Sequence, residues 1–246
     1  MEQAGAVFAA LREGRLRLAR EPVCGTQEPG RVLYEECLAR VEGEPGLVPG
    51  QFIPVLERLA LVCAFDRHVM RRVIGLLRAG AQATLGVNLS ARSLVPVVAW
   101  EALLRQLADR GDVAARLVVE ITETARLEVE PGRRFVQRLR QAGCRVAIDD
   151  FGAGYGVETA MAIGTPDIVK IDASFVVAAR GSDAGMARLA AMVRLAADLA
   201  PQVVVEGVEQ EQDLWHAREA GAQWAQGRFF SAAGTGGHDA PGCRGQ

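Results

Sequence analysis

The chain has 246 residues, of which 50% are hydrophobic and 24% are charged, and its formal net charge is −2. This composition is typical of a globular protein with ample core material, and it excludes a largely disordered chain. The charge lacks the basic surplus of a nonspecific DNA or RNA binder. The start, MEQAGAVFAALREG, predicts neither a signal peptide nor a membrane span, and the five cysteines form no Cys-x-x-Cys pair. We therefore expect a cytoplasmic protein with reduced thiols and no membrane partner.

Short runs of strand-forming residues alternate with longer segments of helical period between residues 16 and 230. Repeated βα units of this kind predict an α/β fold with a parallel sheet, and eight runs favour a closed (β/α)8 barrel. An open doubly wound sheet shares every local signal and is the alternative. The runs begin at Leu16, Arg31, Ala83, Leu117, Cys144, Asp167, Gln202 and Gln223.

The segments between these runs carry helix signals. One segment has apolar residues at helical spacing, from Leu189 through Val193 and Ala196 to Leu199, as expected for a helix packed on a sheet. Three segments end in glycine before a predicted strand, which indicates left-handed caps. These glycines are Gly80, Gly143 and Gly221.

The extent of the alternating strand and helix segments predicts one main folded domain. We expect it to cover residues 16–233, after a helical extension over residues 1–15. Residues 234–246 are rich in glycine and small residues, which predicts a flexible C-terminal tail.

Acidic and amide residues accumulate at the ends of the predicted strands. In a barrel enzyme these ends meet at one face, where several carboxylates would repel each other unless a cation neutralised them. Because the donors are oxygen atoms, they favour Mg²⁺ or Mn²⁺ over zinc, and two such ions would suit hydrolysis of a phosphate ester. The acidic and amide residues are Glu36, Asn88, Glu120, Asp149, Asp150, Asp172, Glu206 and Gln226, and Lys170 lies at the end of the sixth predicted strand among them.

The ordered motifs resemble the EAL domain of cyclic di-GMP phosphodiesterases over about residues 16–230. The Glu-Ala-Leu signature of that family appears here as Glu36-Cys37-Leu38. It is followed by Arg40, Phe52-Ile53-Pro54, Asn88-Leu89-Ser90, Glu120-Ile121-Thr122-Glu123, Asp149-Asp150-Phe151-Gly152, Lys170-Ile171-Asp172, Glu206-Gly207-Val208-Glu209 and Gln226-Gly227.

The resemblance implies a barrel of the modified EAL type, whose first strand runs against the others. It also implies hydrolysis of cyclic di-GMP to the linear dinucleotide pGpG with two Mg²⁺ or Mn²⁺ ions. The implied metal ligands are Glu36, Asn88, Glu120 and Asp149 for the first ion and Asp149, Asp150 and Glu206 for the second.

Other roles follow from the same resemblance. Lys170 and Glu206 are the expected catalytic residues, which position or deprotonate the water, and either could be the base. Substrate contacts are expected from Arg40, Glu21, Leu38 and Gln226, and bracing of the loop after strand five from Glu123, Glu209 and Asp172. A homodimer through that loop and a regulatory protein partner are further expectations.

The chain departs from the family pattern mainly around the substrate. The family usually has Tyr-Gln-Pro at the end of strand one, whereas this chain has Arg20-Glu21-Pro22. A glutamate there adds negative charge and removes two N–H donors, which would weaken binding of an anionic ligand. Together with changes at Gly156-Val157-Glu158 in the loop, this keeps open an inactive EAL domain that binds cyclic di-GMP or a protein. An unrelated barrel phosphatase or aldolase-type enzyme is a third reading.

Overall fold

The computed structural model describes residues 1–44, 46–80, 82–95, 97–122, 127–154 and 156–232. Within these ranges, eight strands form one closed barrel in chain order. The closed barrel confirms the predicted fold class and excludes the open sheet. The strands are β1 (Leu16–Gly25), β2 (Val32–Val41), β3 (Leu85–Ser90), β4 (Leu117–Thr122), β5 (Arg145–Phe151), β6 (Ile168–Ile171), β7 (Gln202–Val205) and β8 (Trp224–Gln226).

Strand β1 runs antiparallel to both of its neighbours, as the modified barrel requires. It pairs with β2 from Leu16 opposite Val41 onward, and it closes the ring by pairing with β8, where Val23 lies opposite Gln226. The other neighbouring pairs are parallel. The long hairpin of β1 and β2 therefore extends beyond the short barrel strands.

Helices surround the barrel. The described part of the chain contains 3-10 helices at Ala91–Leu94 and Val97–Trp100 and no helix long and apolar enough to cross a membrane. The α-helices are α1 (Glu2–Arg12), α2 (Pro49–Arg58), α3 (Val62–Arg78), α4 (Glu101–Ala108), α5 (Gly111–Ala114), α6 (Val129–Ala142), α7 (Gly156–Ile163), α8 (Ala173–Ala179), α9 (Asp183–Leu199), α10 (Glu211–Glu219) and α11 (Arg228–Ala232).

The predicted helix signals correspond to real features. Leu189, Val193 and Ala196 of α9 are buried. Gly80, Gly143 and Gly221 follow α3, α6 and α10 with φ values of 102°, 98° and 90°, so each turns the chain in the left-handed conformation that favours glycine. These turns return the chain to the barrel at the same end each time.

The apolar core has two parts. The larger part fills the space between the outer faces of the strands and the helices. The smaller part lies inside the barrel, where most strands contribute one residue because successive side chains of a strand alternate between its faces. We call it the interior layer, and it comprises Val23, Tyr34, Val118, Ala147, Ile168, Val204 and Trp224.

Candidate metal and substrate site

A polar layer lies one pleat above the interior layer. Side chains two residues apart on a strand share a face, so the residue two positions further towards the site also points into the barrel. On β1, which runs the other way, that residue lies two positions before Val23. The eight residues of the polar layer are Glu21, Glu36, Asn88, Glu120, Asp149, Lys170, Glu206 and Gln226. Strand alternation alone thus gathers most of the predicted site residues.

Asp150 joins this layer through an irregularity in β5. The register with β6 shifts between Ile148 and Phe151, and Asp150 has a φ of 55°, in the left-handed region. Aspartate tolerates that conformation better than most residues. The shift breaks the alternation of the strand, so the Asp149 and Asp150 carboxylates can both approach Glu206.

Lys170 lies at the centre of the polar layer and is the only lysine in the sequence. Its side chain is fully buried. The ammonium nitrogen Nζ lies 2.7 Å from Glu120 Oε2, 2.8 Å from Glu206 Oε1, 2.9 Å from Asp149 Oδ1 and 3.1 Å from Glu36 Oε2. An ammonium group has three donors, so it cannot bond all four carboxylates at once.

The cluster holds more acidic than basic groups, and most of its pKa values are therefore raised. Burial raises the pKa values of Glu120 and Glu206 well above their ordinary range, and neighbouring carboxylates add to the effect. Burial and then Asp149 raise the pKa of Asp150 to about 6. Burial alone would lower the pKa of Lys170, but the surrounding carboxylates raise it well above its ordinary value, so the residue is an ammonium ion.

Glu36 behaves differently because two amides support its charge. Burial opposes ionisation, but Lys170 and the amide donors of Gln226 and Asn88 together lower the pKa of Glu36. Gln226 Nε2 donates to Glu36 Oε2 at 2.6 Å, and Asn88 Nδ2 donates to Oε1. Glu36 lies in the middle of β2 and not at a strand end, since the hairpin continues to Val41.

The carboxylates form two groups that share one residue. Oxygen atoms of each group lie within 4.8 Å of one another, and Asp149 belongs to both. The groups are Glu36, Glu120 and Asp149, and Asp149, Asp150 and Glu206.

Several buried oxygen atoms in and beside these groups are suited to bind a cation. Both carboxylate oxygens of Glu120, Asn88 Oδ1 and Asp149 Oδ1 are buried and accept no hydrogen bond from the described residues. Lys170 contacts Glu120 and Asp149 as an ion pair without a directed hydrogen bond. The five grouped carboxylates and one ammonium carry a net charge of −4 when ionised, which two divalent cations would neutralise. Oxygen donors of this kind fit Mg²⁺ or Mn²⁺.

The predicted substrate residues lie on β1, β2 and β8, of which β2 and β8 also carry Glu36 and Gln226 of the polar layer. Glu21 lies directly opposite Glu36 in the antiparallel pair, so both side chains are on the interior face, and Glu21 is half-buried. Arg40 is exposed and donates to the carbonyl of Ala39 at 2.9 Å. Leu38 is half-buried and lines a cavity of about 90 Å³ beside Asn88. Gln226 is buried against Glu36.

The residues predicted to brace the loop after β5 have other visible contacts. Glu209 is paired with Arg180 and Arg228, with oxygen-to-nitrogen distances of 3.5 Å and 2.5 Å. The Asp172 carboxylate caps α8 by accepting from the backbone N–H of Ser174 at 3.0 Å. Glu123 lies outside the described residues, so the bracing role of these residues stays a prediction.

Sequence reasoning overlooked three residues near the site. Tyr34 of the interior layer lies below Glu36 with a buried hydroxyl that has no partner among the described residues. Gly86 lies below Asn88. Both could have been found by counting two residues back from each acidic residue. The third, Asp66, is fully buried behind β3, where burial raises its pKa to about 7.

A closed barrel with a buried, oxygen-rich acidic cluster at one end defines the class of the protein. The model of the EAL domain family matches residues 4–233, so the chain belongs to the EAL domain family. It is 31% identical over 232 residues to "Cyclic di-GMP phosphodiesterase NbdA" of Pseudomonas aeruginosa, covering 90% of this chain and 29% of that protein. The chain spans about 30% of the length of the first curated relatives that it matches.

Solved structures show the same fold. The FimX EAL domain from Pseudomonas aeruginosa bound to c-di-GMP has a TM-score of 0.76 and 25% identity, with 93% of this chain and 95% of that chain covered. The manganese/cy-diGMP complex of Klebsiella pneumoniae BlrP1 has a TM-score of 0.68 and 29% identity, with coverage of 87% and 54%.

Proposed function

We propose that this chain is a metal-dependent phosphodiesterase that hydrolyses cyclic di-GMP to linear pGpG. The main supporting observation is the pair of carboxylate groups that share Asp149, with Lys170 beside both. The name of NbdA and the manganese/cy-diGMP complex of BlrP1 agree with it. The cytoplasmic location belongs to the same proposal, because the four described cysteines are free.

In this proposal the metal ligands are Glu36, Asn88, Glu120, Asp149, Asp150 and Glu206. Two Mg²⁺ or Mn²⁺ ions bound there would neutralise charge on the phosphate and on the leaving oxygen. The chain's own residues would hold and deprotonate the attacking water. Glu206 is the carboxylate proposed to accept the proton of the water, whereas Lys170 is already protonated and would orient the water or the phosphate.

The substrate would lie above the polar layer. Arg40 has no ion pair with the described residues, so its guanidinium is available for a phosphate of cyclic di-GMP. Leu38 and Gln226 would line the rest of the pocket. A homodimer through the loop after β5 and a regulatory protein partner remain parts of the proposal.

The test is incubation of the purified protein with cyclic di-GMP and Mg²⁺ or Mn²⁺, followed by chromatography of the nucleotides. Linear pGpG should appear only with metal and should not appear in EDTA. Intact substrate at high protein concentration, with both metals, would contradict the proposal.

Asp149→Asn supplies the matched variant. It keeps the shape of the side chain but removes the charge that both carboxylate groups share, so turnover should fall by at least about a hundredfold. Metal affinity should fall as well, measured by calorimetry with Mn²⁺. A variant that hydrolyses cyclic di-GMP at the wild-type rate would contradict the shared-ligand assignment.

The second candidate is a cyclic di-GMP receptor without turnover. Glu21 favours it, because a carboxylate in the polar layer faces the place where a dianionic ligand would bind. Binding measured by calorimetry, together with absence of pGpG, would make this candidate the better one.

A further inference from the structure

Strand β3 contributes no side chain to the interior layer. The interior position of that strand, two residues before Asn88, is Gly86, which has no side chain to fill the barrel. A Cβ atom placed on Gly86 would lie 2.3 Å from Glu120 Oε1 and 2.7 Å from Tyr34 Cε2. Side-chain contacts that close do not occur, so the space beside Gly86 is occupied by these two neighbours.

Tyr34 and Glu120 therefore meet over Gly86. Since both atoms lie so near one point, Glu120 Oε1 and Tyr34 Cε2 are no more than 5.0 Å apart. The hydroxyl of Tyr34 is attached to the ring carbon next to Cε2. Tyr34 is 1% exposed, and the aromatic ring thus closes the floor of the barrel under the acidic cluster.

The two oxygens of Glu120 have different surroundings. Oε2 lies 2.7 Å from the Lys170 ammonium, whereas Oε1 lies on the Gly86 side next to the tyrosine ring. Neither Oε1 nor the Tyr34 hydroxyl has a hydrogen-bond partner among the described residues. The two groups therefore make no hydrogen bond to each other in this structure, and each is a buried polar atom that would be stabilised by gaining a partner.

We propose that Tyr34 is a positioning residue that holds the Glu120 carboxylate in place for a divalent cation, and that Gly86 provides the space for this contact. The inference rests on the metal centre of the proposed function. The Tyr34 hydroxyl, which is unpaired in this structure, would become a donor to the Glu120 carboxylate once a cation holds that carboxylate, and the ring prevents the carboxylate from turning down into the barrel. Glu120 then presents its other oxygen to the cation, together with Glu36 and Asp149.

The test compares Mn²⁺ binding to the full chain and to Tyr34→Phe, Gly86→Ala and Ile168→Val. Tyr34→Phe keeps the ring and removes only the hydroxyl, and Mn²⁺ should bind roughly tenfold more weakly, the size of one lost hydrogen bond to a charged group. Gly86→Ala displaces Glu120 from the other side and should weaken Mn²⁺ binding at least as much. Ile168→Val removes a methyl group from the same interior layer and should leave Mn²⁺ affinity within about twofold of wild type.

Two readouts separate positioning from general packing. Calorimetry gives the Mn²⁺ affinity, and the electron paramagnetic resonance spectrum of bound Mn²⁺ reports a change in ligand geometry that a merely structural role would not produce. If Tyr34→Phe binds Mn²⁺ like wild type with an unchanged spectrum, the inference is overturned. Equal weakening by Ile168→Val would also overturn it. A wild-type chain that binds no Mn²⁺ would overturn the metal centre itself, and this inference with it.

Discussion

Under the proposed function, Glu21 is the single residue whose substitution should change ligand binding most clearly. Its neighbours in the polar layer are held by ion pairs or amides, whereas Glu21 has no ion pair with the described residues and lies opposite Glu36. Glu21→Gln removes a negative charge and adds N–H donors, so cyclic di-GMP should bind roughly three- to tenfold more tightly.

Calorimetry in EDTA, where no turnover is expected, measures this effect. Glu35→Gln is the matched control, because Glu35 is the next residue to Glu36 on the opposite face of β2 and pairs with Arg20. An unchanged affinity of Glu21→Gln would show that Glu21 does not face the ligand.

Asp66 should make stability depend on pH. Its carboxylate accepts from Ser93 Oγ at 2.6 Å and from the Ser90 N–H at 3.0 Å, yet burial raises its pKa from 3.8 to about 7, with a further rise from Glu57. A raised folded-state pKa means that its stabilising contribution is complete below the unfolded pKa and is lost as pH rises through about 7. The loss amounts to at most about 1.4 kcal/mol per pH unit within that window.

Asp66→Asn removes this titration and keeps the shape. The free energy of unfolding of the variant, minus that of wild type, should therefore increase between pH 5 and pH 8. Urea titrations at each pH measure this difference. Parallel pH curves for the two proteins would show that Asp66 stays ionised in the folded chain.

At the scale of elements, the contact between α8 and α9 depends on one glycine. The Ser182 side chain caps α9 by accepting from the N–H of Gly185, which brings α9 against the end of α8. A Cβ on Gly185 would lie 2.0 Å from the backbone carbonyl oxygen of Ala178, which cannot move away as a flexible side chain would. Gly185→Ala should lower the free energy of unfolding by about 1–3 kcal/mol.

Gly75→Ala is the opposite case. Gly75 lies inside α3, and a Cβ there has no atom of the described chain within 4 Å. Alanine should raise the free energy of unfolding by about 0.5–1 kcal/mol. Thermal or urea unfolding of both variants tests the pair, and destabilisation of equal size would contradict the steric explanation.

The elements themselves were largely predictable from the sequence. The strands are recognisable because runs of β-branched residues, such as those of β4 and β7, are typical of strands covered on both faces. The helix ends are recognisable because a glycine between a helical segment and a strand, as at Gly80, Gly143 and Gly221, is typical of a left-handed cap. The polar layer follows from alternation once the strands are known.

The remaining features depend on contacts between distant parts of the chain. The left-handed conformation of Asp150 and the shifted register of β5 arise where β5 meets β6, and no local sequence pattern predicts them. The contact of Tyr34 with Gly86 joins two strands that are over 40 residues apart, so it could not be inferred from either segment alone.

At the scale of the molecule, the acidic cluster couples stability to cations. Lys170→Met leaves three buried carboxylates and the half-buried Glu206 without their ammonium partner, so the metal-free protein should lose of the order of 3 kcal/mol in free energy of unfolding at pH 8. Saturating Mn²⁺ should raise the melting temperature of wild type and still more that of the variant, because cations then replace the missing charge.

Thermal unfolding in EDTA and in Mn²⁺ measures both effects. Arg17→Met is the control, since it removes an arginine paired with Glu42 at the surface and should change the free energy of unfolding by less than about 1 kcal/mol. Equal melting temperatures of Lys170→Met and wild type in EDTA would contradict the stabilising role of the ammonium.

The solitary lysine gives the chain an uncommon chemical property. All other basic side chains, apart from histidines, are arginines, and the one lysine amine is fully buried in the folded barrel. Amine-directed acylating reagents, which need an uncharged amine, would thus find no side-chain amine until the barrel opens. The rate at which a reagent such as an activated ester labels Lys170 would report directly how often the barrel opens around its centre.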